Sequence, residues 1–316
     1  MKSRRLLLIG AGGIAADYAN ALKHLNVRHF DVLSRREESA RLFAKSYGAE
    51  RAHWGGLDTL PQLMNEYDAF IVACPIEHLM PYALALADAG KSRVLLEKPL
   101  ALRSSDVAGL AARFPDFKPW IALNRLFFPS VLELKRRLRE QRAVAARFSF
   151  TEWVHRIEAD KYHPDVLARW GASNCIHVIA TCFDLVGTPI TFSPYVAGKS
   201  ALSWHPAGTI FTGAGITDQN VLFVYHADWV SAGRWSIAID TPEGRYDLEP
   251  MESLRFTPKG SIVDTLLVAA PQDGLRAGFP QMLRAWLADE QHDNVGLDAL
   301  RAHLTSIESM MYPNER

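Results

Sequence analysis

Three observations predict two α/β domains. A glycine-rich turn joins an apolar run to a helix near the start. Further short apolar runs each end in a polar residue, a proline or a glycine, and the second half alternates between apolar and polar positions with hairpin-type turns between segments. The first domain, residues 1–123, is then a doubly wound parallel sheet with helices. The second, residues 124–316, is an α/β domain built on an open, mainly antiparallel sheet.

Leu6-Leu7-Leu8-Ile9 is the continuous apolar run of a strand buried on both faces, and it leads into Gly10-Ala11-Gly12-Gly13-Ile14-Ala15 and a helix from about Ala15 to Leu25. Gly10 permits a tight turn, Gly12 lets the backbone approach a pyrophosphate, and the small third residue, Ala15, allows close packing of the helix whose N-terminus faces the phosphates. This is the dinucleotide-binding pattern of a Rossmann domain. The next strand runs from about His29 to Leu33 and ends at Ser34. An NAD site would hold an acidic residue there for the ribose hydroxyls, whereas Ser34-Arg35-Arg36 offers a hydroxyl and two guanidinium groups suited to a phosphate. NADP is therefore expected, with NAD possible. Asp31 is a weaker NAD candidate, and Arg35 and Arg36 could instead pair with Glu37 or Glu38.

Asp68 to Ala73 reads as a buried strand ending at Cys74-Pro75-Ile76-Glu77-His78, where His78 either touches the cofactor or caps the helix that Gly90 closes. Val94-Leu95-Leu96 ends in Glu97-Lys98-Pro99, and Trp120 to Leu123 ends at Asn124-Arg125. Gly10, Ser34, Pro75, Lys98 and Asn124 thus gather at the strand ends where a doubly wound sheet binds its ligand.

Equal numbers of basic and acidic residues, 35 of each among 316, leave no net charge to favour nucleic acid or a membrane surface. A small-molecule partner is expected. The three cysteines, Cys74, Cys175 and Cys182, lie in apolar stretches and make no disulfide framework, which points to a reducing, cytoplasmic setting. Met1-Lys2-Ser3-Arg4-Arg5 looks like a signal-peptide start, but the apolar run after it is too short, and no apolar segment reaches membrane-spanning length. No metal-ligand spacing is present.

Later in the chain, a helix is expected from about Ser130 to Glu140, a strand over Val144 to Phe150 and a helix over Trp170 to Gly187 that carries Ser173, Asn174 and His177 on one face. Strands follow over Gly208 to Ile216, Val221 to Asp228, Arg234 to Asp240 and Arg245 to Glu249. Hairpin turns are expected at 217–220, 232–233 and 242–244, and terminal helices at Gly278 to Asp289 and Leu297 to Met310. Tryptophans beside His or Arg, such as Trp153 next to His155, would suit a sugar pocket, although most of the tryptophans are expected to pack in the core.

The glycine turn, Pro75 with His78, Gly90, Glu97-Lys98-Pro99 and Asn124-Arg125 followed by Phe127 and Pro129 together resemble the Gfo/Idh/MocA oxidoreductases. The resemblance implies hydride transfer between NAD(P) and a carbinol or carbonyl carbon of a sugar, cyclitol or nucleotide sugar. It makes Lys98 and His177 catalytic, with Asn174 an orienter or substrate donor and Glu97 the residue that holds Lys98. Cofactor contacts are expected from Gly10, Gly12, Gly13, Ile14, Ser34, Arg35, Arg36, Cys74, Pro75, His78, Glu97, Lys98, Asn124 and Arg125. Substrate contacts are expected from Lys98, Trp153, His155, Ser173, Asn174 and His177. The family places an Asp four residues before the His and another three after it, and this sequence has Ser173 and Ala180 there. The same resemblance admits an NAD-dependent glycosidase or a non-catalytic NADP-binding regulator. An open sheet face with exposed aromatics would suggest association through the second domain, as a homodimer or homotetramer, and runs such as Trp204-His205-Pro206 resemble a branch associated with surface-polysaccharide metabolism.

Overall fold

The computed structural model describes residues 5–313, so the first four residues of the basic start lie outside the described residues. It is an α/β protein of two compact units, 1–123 with 274–301, and 124–273 with 302–316.

The first unit holds a six-stranded, all-parallel sheet. Its strands are β1 (Leu6–Ile9), β2 (Phe30–Leu33), β3 (Ala52–His53), β4 (Ala69–Val72), β5 (Val94–Leu96) and β6 (Trp120–Ile121), in the order β3-β2-β1-β4-β5-β6. β1, β2, β4 and β5 are buried at every position, as strands covered on both faces must be. The crossovers carry α1 (Gly13–His24), α2 (Glu37–Tyr47), the short α3 (Leu60–Leu63), α4 (Ile76–Asp88) and α5 (Ser104–Arg113). The strand order reverses between β1 and β4, which is where an open sheet forms its ligand crevice. The register aligns Ile9 with Leu33 and Val72, and Val72 with Leu96. Gly10, Ser34, Ala73 and Glu97 therefore share one edge.

Asp31 is spent on this fold. Only 4% exposed, it accepts from the Arg51 backbone (2.8 Å), Arg51 Nε (2.8 Å) and the Tyr67 hydroxyl (2.5 Å). A carboxylate so occupied is a structural anchor.

In the second unit, α6 (Pro129–Leu138) precedes β7 (Ala145–Phe150). The short α7 (Pro164–Ala168), a π-helical turn (Gly171–Cys175) and α8 (Ile176–Val186) lead to β8 (Pro189–Ala197), β9 (Ile210–Thr217), β10 (Leu222–Asp228), β11 (Trp235–Thr241), β12 (Gly244–Leu248), β13 (Leu254–Pro258) and β14 (Thr265–Val268). They form one sheet, β14-β13-β12-β11-β7-β10-β9-β8, antiparallel except for β7 with β10. The turns at 217–220 and 242–244 are hairpins. Residues 232–233 are not, because β10 and β11 lie on opposite sides of β7 and the segment between them must cross it. β8, β13 and β14 were not expected; β8 and β14 are largely exposed edge strands.

α8 covers one face of this sheet, its Phe183 edge-on to Phe148 at 5.6 Å, and Lys135 Nζ donates to Asp184 at 2.9 Å. The opposite face shows Tyr195, Leu222 and Val224 to solvent. The Trp204-His205-Pro206 run belongs to an aromatic core: His205 is fully buried, with Nδ1 2.7 Å from the Gly208 carbonyl, Nε2 3.0 Å from the Tyr312 hydroxyl, and its ring against Trp229.

The chain ends with α9 (Phe279–Leu287) and α10 (Leu297–Met311). The sequence reading placed residues 274–301 in the second domain, whereas they pack with the first unit. Phe279 packs on Tyr18 (4.9 Å), Arg276 pairs with Asp17 (2.9 Å), and Arg93 donates to the Trp286 and Leu287 carbonyls at the end of α9. No helix among the described residues is long and apolar enough to cross a membrane.

His303 on α10 is 7% exposed, with Nε2 buried and unpartnered, and burial holds its pKa down at about 4 against 6.5 unfolded. Below pH 6.5 the unfolded chain gains a proton that the folded chain refuses until about pH 4. Stability is therefore lost as pH falls through that window, by about 3 kcal/mol. His303→Leu is expected to flatten that part of the pH dependence of urea unfolding; an unchanged slope would show that His303 does not contribute.

Candidate active site

At the end of β1, Gly10 adopts φ +121°, and a Cβ there would sit 2.1 Å from the Ala73 carbonyl oxygen on the neighbouring strand. Only glycine fits this turn. A Cβ on Gly12 or Gly13 would meet nothing within 4 Å, so the space over the start of α1 is open. α1 has no side-chain cap and no acidic residue in its first turn. Its free N–H groups and positive dipole end suit a pyrophosphate, and Ile14 lies in that first turn. The chain's own residues thus fit a dinucleotide.

At the end of β2, the Ser34 N–H donates to His53 and its carbonyl accepts from Gly56, so its backbone is committed while its side chain is half-exposed. Arg35 and Arg36 are exposed, and among the described residues neither has a carboxylate within 4.0 Å. Glu37 pairs with Arg41 instead. Arg35 Nη1 lies 3.0 Å from His78 Nε2. His78 therefore does not cap α4, whose first residue follows Pro75 with no side-chain cap. Burial pushes the Cys74 thiol up to about 12, so it lines the strand end as a neutral group.

Glu97 follows β5 and is 8% exposed. It accepts from the Tyr18 hydroxyl at 2.7 Å and from the Lys98 backbone N–H at 3.3 Å. Burial raises its pKa, and the Lys98 charge is the leading influence that opposes the rise. Glu97 thus anchors the tripeptide to α1, a role reached through Tyr18 that the sequence reading did not include. Lys98 is half-exposed, its peptide bond to Pro99 is cis, and Leu100 is held at φ +61° with its side chain buried. A left-handed leucine costs about 1–2 kcal/mol and persists only where packing enforces it. The loop that carries Lys98 is therefore held on one side by Glu97 and on the other by the buried Leu100.

In the second unit, Asn124 is buried and Arg125 half-buried in a 3₁₀ turn, Asn124–Phe127. Ser173 and His177 are also buried, at 3% and 4% exposure. The Ser173 hydroxyl donates to the Val166 and Arg169 carbonyls, which directs it into the helix. Asn174 Nδ2 donates to Glu152 Oε1 at 2.9 Å, and the same oxygen accepts from Trp235 Nε1 at 3.2 Å and lies 3.4 Å from Cys175 Sγ. The Trp235 ring is 6.1 Å from that of His177. Glu152, immediately after β7, is thus a buried carboxylate held against Asn174, and burial raises its pKa. Sequence reading missed it, although a carboxylate just past an alternating strand, in Thr151-Glu152-Trp153, was the available signal. Trp153 is half-buried and His155 exposed. Among the described residues no cluster of His, Cys, Asp or Glu could hold a metal ion.

Residues 4–115 match the family model described as the oxidoreductase family, NAD-binding Rossmann fold. This region belongs to the Gfo/Idh/MocA family. Solved structures similar to the whole chain extend the likeness of fold beyond the Gfo/Idh/MocA region. An oxidoreductase from Agrobacterium radiobacter, in complex with NAD+, L-tartaric acid and magnesium, has 16% identity and a TM-score of 0.80, covering 100% of this chain and 98% of the other. A UDP-N-acetylglucosamine 3-dehydrogenase from Acidithiobacillus ferrooxidans has 16% identity and a TM-score of 0.73, with coverage of 98% and 97%. A levoglucosan dehydrogenase in complex with NADH and levoglucosan has 17% identity and a TM-score of 0.76, with coverage of 98% and 96%. No curated protein matches the chain.

Proposed function

We propose that this chain is an NADP-preferring oxidoreductase acting on a CH–OH or C=O carbon of a sugar, cyclitol or nucleotide sugar. The observation that carries this reading is Lys98, held by a buried Glu97 and a fixed loop on the same sheet edge as the glycine turn. The solved structures of similar fold include dehydrogenases of a nucleotide sugar and of an anhydrosugar, which supports the substrate class.

Gly10, Gly12, Gly13 and the first turn of α1 would hold the pyrophosphate, and Arg35 with Arg36 the ribose phosphate. A bound nicotinamide supplies the hydride chemistry. Lys98 would hydrogen-bond the reacting oxygen as its charge changes, and His177 is the candidate acid/base group of the second unit. Asn174, fixed by Glu152, presents its remaining amide oxygen to His177 or to a substrate hydroxyl.

The test is absorbance of the reduced nicotinamide while the full chain is offered NADP⁺ or NADPH with polyols, aldoses, ketoses and nucleotide sugars. Reduction or oxidation that needs added cofactor and sugar is the expected result. Sugar bond cleavage with no net change in nicotinamide, or cofactor binding with no transfer to any sugar, would overturn the reading.

A further inference from the structure

Beside His177, the second unit carries a row of alternating guanidinium and indole groups. The Arg156 guanidinium lies 4.4 Å from the Trp153 ring centre, and Arg234 lies 4.7 Å from Trp153 and 4.9 Å from Trp235. Arg125 follows, 4.6 Å from Trp235. Both indoles are pinned by their N–H groups, Trp153 to the Gly233 carbonyl at 2.9 Å and Trp235 to Glu152 at 3.2 Å. The row runs from exposed Arg156 to buried Trp235, whose ring neighbours His177.

Three cations in one row repel each other, and an exposed guanidinium over an indole gains only about 0.5–1 kcal/mol. Surface arginines normally settle beside carboxylates. Yet among the described residues neither Arg156 nor Arg234 has a carboxylate within 4.0 Å, although Glu158 lies close in sequence and pairs with Lys161. The carboxylate within the row, Glu152, is 4% exposed, and its Oε1 is occupied by the Asn174 and Trp235 donors. Arg234 interacts electrostatically with Glu152, but the exposed end of the row keeps N–H donors that no carboxylate within 4.0 Å takes up among the described residues, and a guanidinium donates to an oxyanion in its own plane.

We infer that this row receives an oxyanion carried by the substrate, so that the sugar is a phosphoryl- or carboxylate-bearing one and not a neutral polyol. The anion lies against Arg234 and Arg156, and the sugar extends toward His177. This rests on the oxidoreductase reading for the identity of the ligand as a sugar, but the anion site is measurable without turnover.

The experiment is calorimetric binding to the NADP⁺-loaded full chain of four probes: UDP-N-acetylglucosamine, glucose 1-phosphate, glucuronate and neutral N-acetylglucosamine. At least one anionic sugar is expected to bind about tenfold or more tighter than the neutral one, from a single charge-assisted contact. Tight phosphoryl probes with weak glucuronate assign a phosphoryl group, and the reverse assigns a carboxylate. Arg234→Ala, and separately Arg156→Ala, should each weaken the anionic probe about tenfold and the neutral sugar by less than about twofold. Equal affinity for neutral and anionic sugars, equal losses for both in the variants, or no binding of any anionic probe would overturn the inference. Arg234-dependent binding without hydride transfer would overturn the oxidoreductase reading alone. Transfer to a neutral sugar without Arg234-dependent anion binding would overturn this one alone.

Discussion

Replacing Lys98 by Met is expected to lower turnover by about 10³-fold while NADPH affinity changes by less than about twofold. Met keeps much of the length and apolar stem of the lysine and removes the ammonium, so what is lost is the donor to the reacting oxygen. The neighbourhood adds a second consequence. Glu97 is buried, and the Lys98 charge opposes the upward pull of burial on its pKa. Without the ammonium, Glu97 moves further toward its protonated form and leans more on the Tyr18 hydroxyl. A modest fall in melting temperature should accompany the loss of activity. Lys98→Arg separates the two effects, because it keeps the charge beside Glu97 but misplaces the donor. It should restore the melting temperature and leave turnover at least about tenfold down. Full turnover in Lys98→Met, measured on protein shown to bind NADPH, would remove Lys98 from the reaction.

Arg35→Ala is expected to weaken NADPH by about 10- to 100-fold and NADH by less than about twofold, read as dissociation constants by nucleotide fluorescence. One guanidinium–phosphate contact contributes about 1.5–3 kcal/mol, and each 1.4 kcal/mol is a factor of about ten. The selectivity follows from three placements at the end of β2. Asp31 is buried against Arg51 and Tyr67, so it cannot serve the ribose hydroxyls. Ser34 stands where an acidic residue would favour NAD. Arg35 and Arg36 are exposed without a carboxylate partner among the described residues, while Glu37 is engaged by Arg41. Arg35→Ala leaves the glycine turn untouched, so equal losses for both nucleotides would show that Arg35 does not read the phosphate.

The parallel sheet and the edge that carries its chemistry were legible in the sequence. Leu6–Ile9, Ala69–Val72 and Val94–Leu96 are uniformly apolar because each is covered on both faces, and Gly10 marks a turn where any Cβ would strike a neighbouring carbonyl. These are local constraints, written residue by residue. The mainly antiparallel sheet of the second unit was legible in its alternation, but not its strand order, because the pairing of β7 with β10 on one side and β11 on the other depends on residues far apart in the chain. The attachment of Phe279–Leu287 to the first unit depends in the same way on Tyr18, Asp17 and Arg93.

The sequence by itself determined the dinucleotide turn, the strand that ends in Glu97-Lys98-Pro99 and the helix that carries His177, because backbone sterics and apolar periodicity act over a few residues. Only the tertiary structure decided what each charge is placed against: Asp31 anchors the fold, Tyr18 holds Glu97, Glu152 holds Asn174, and Arg156, Arg234 and Arg125 line up along two indoles. A hydrogen bond or a ring contact depends on distance in space, and spacing along the chain does not encode it.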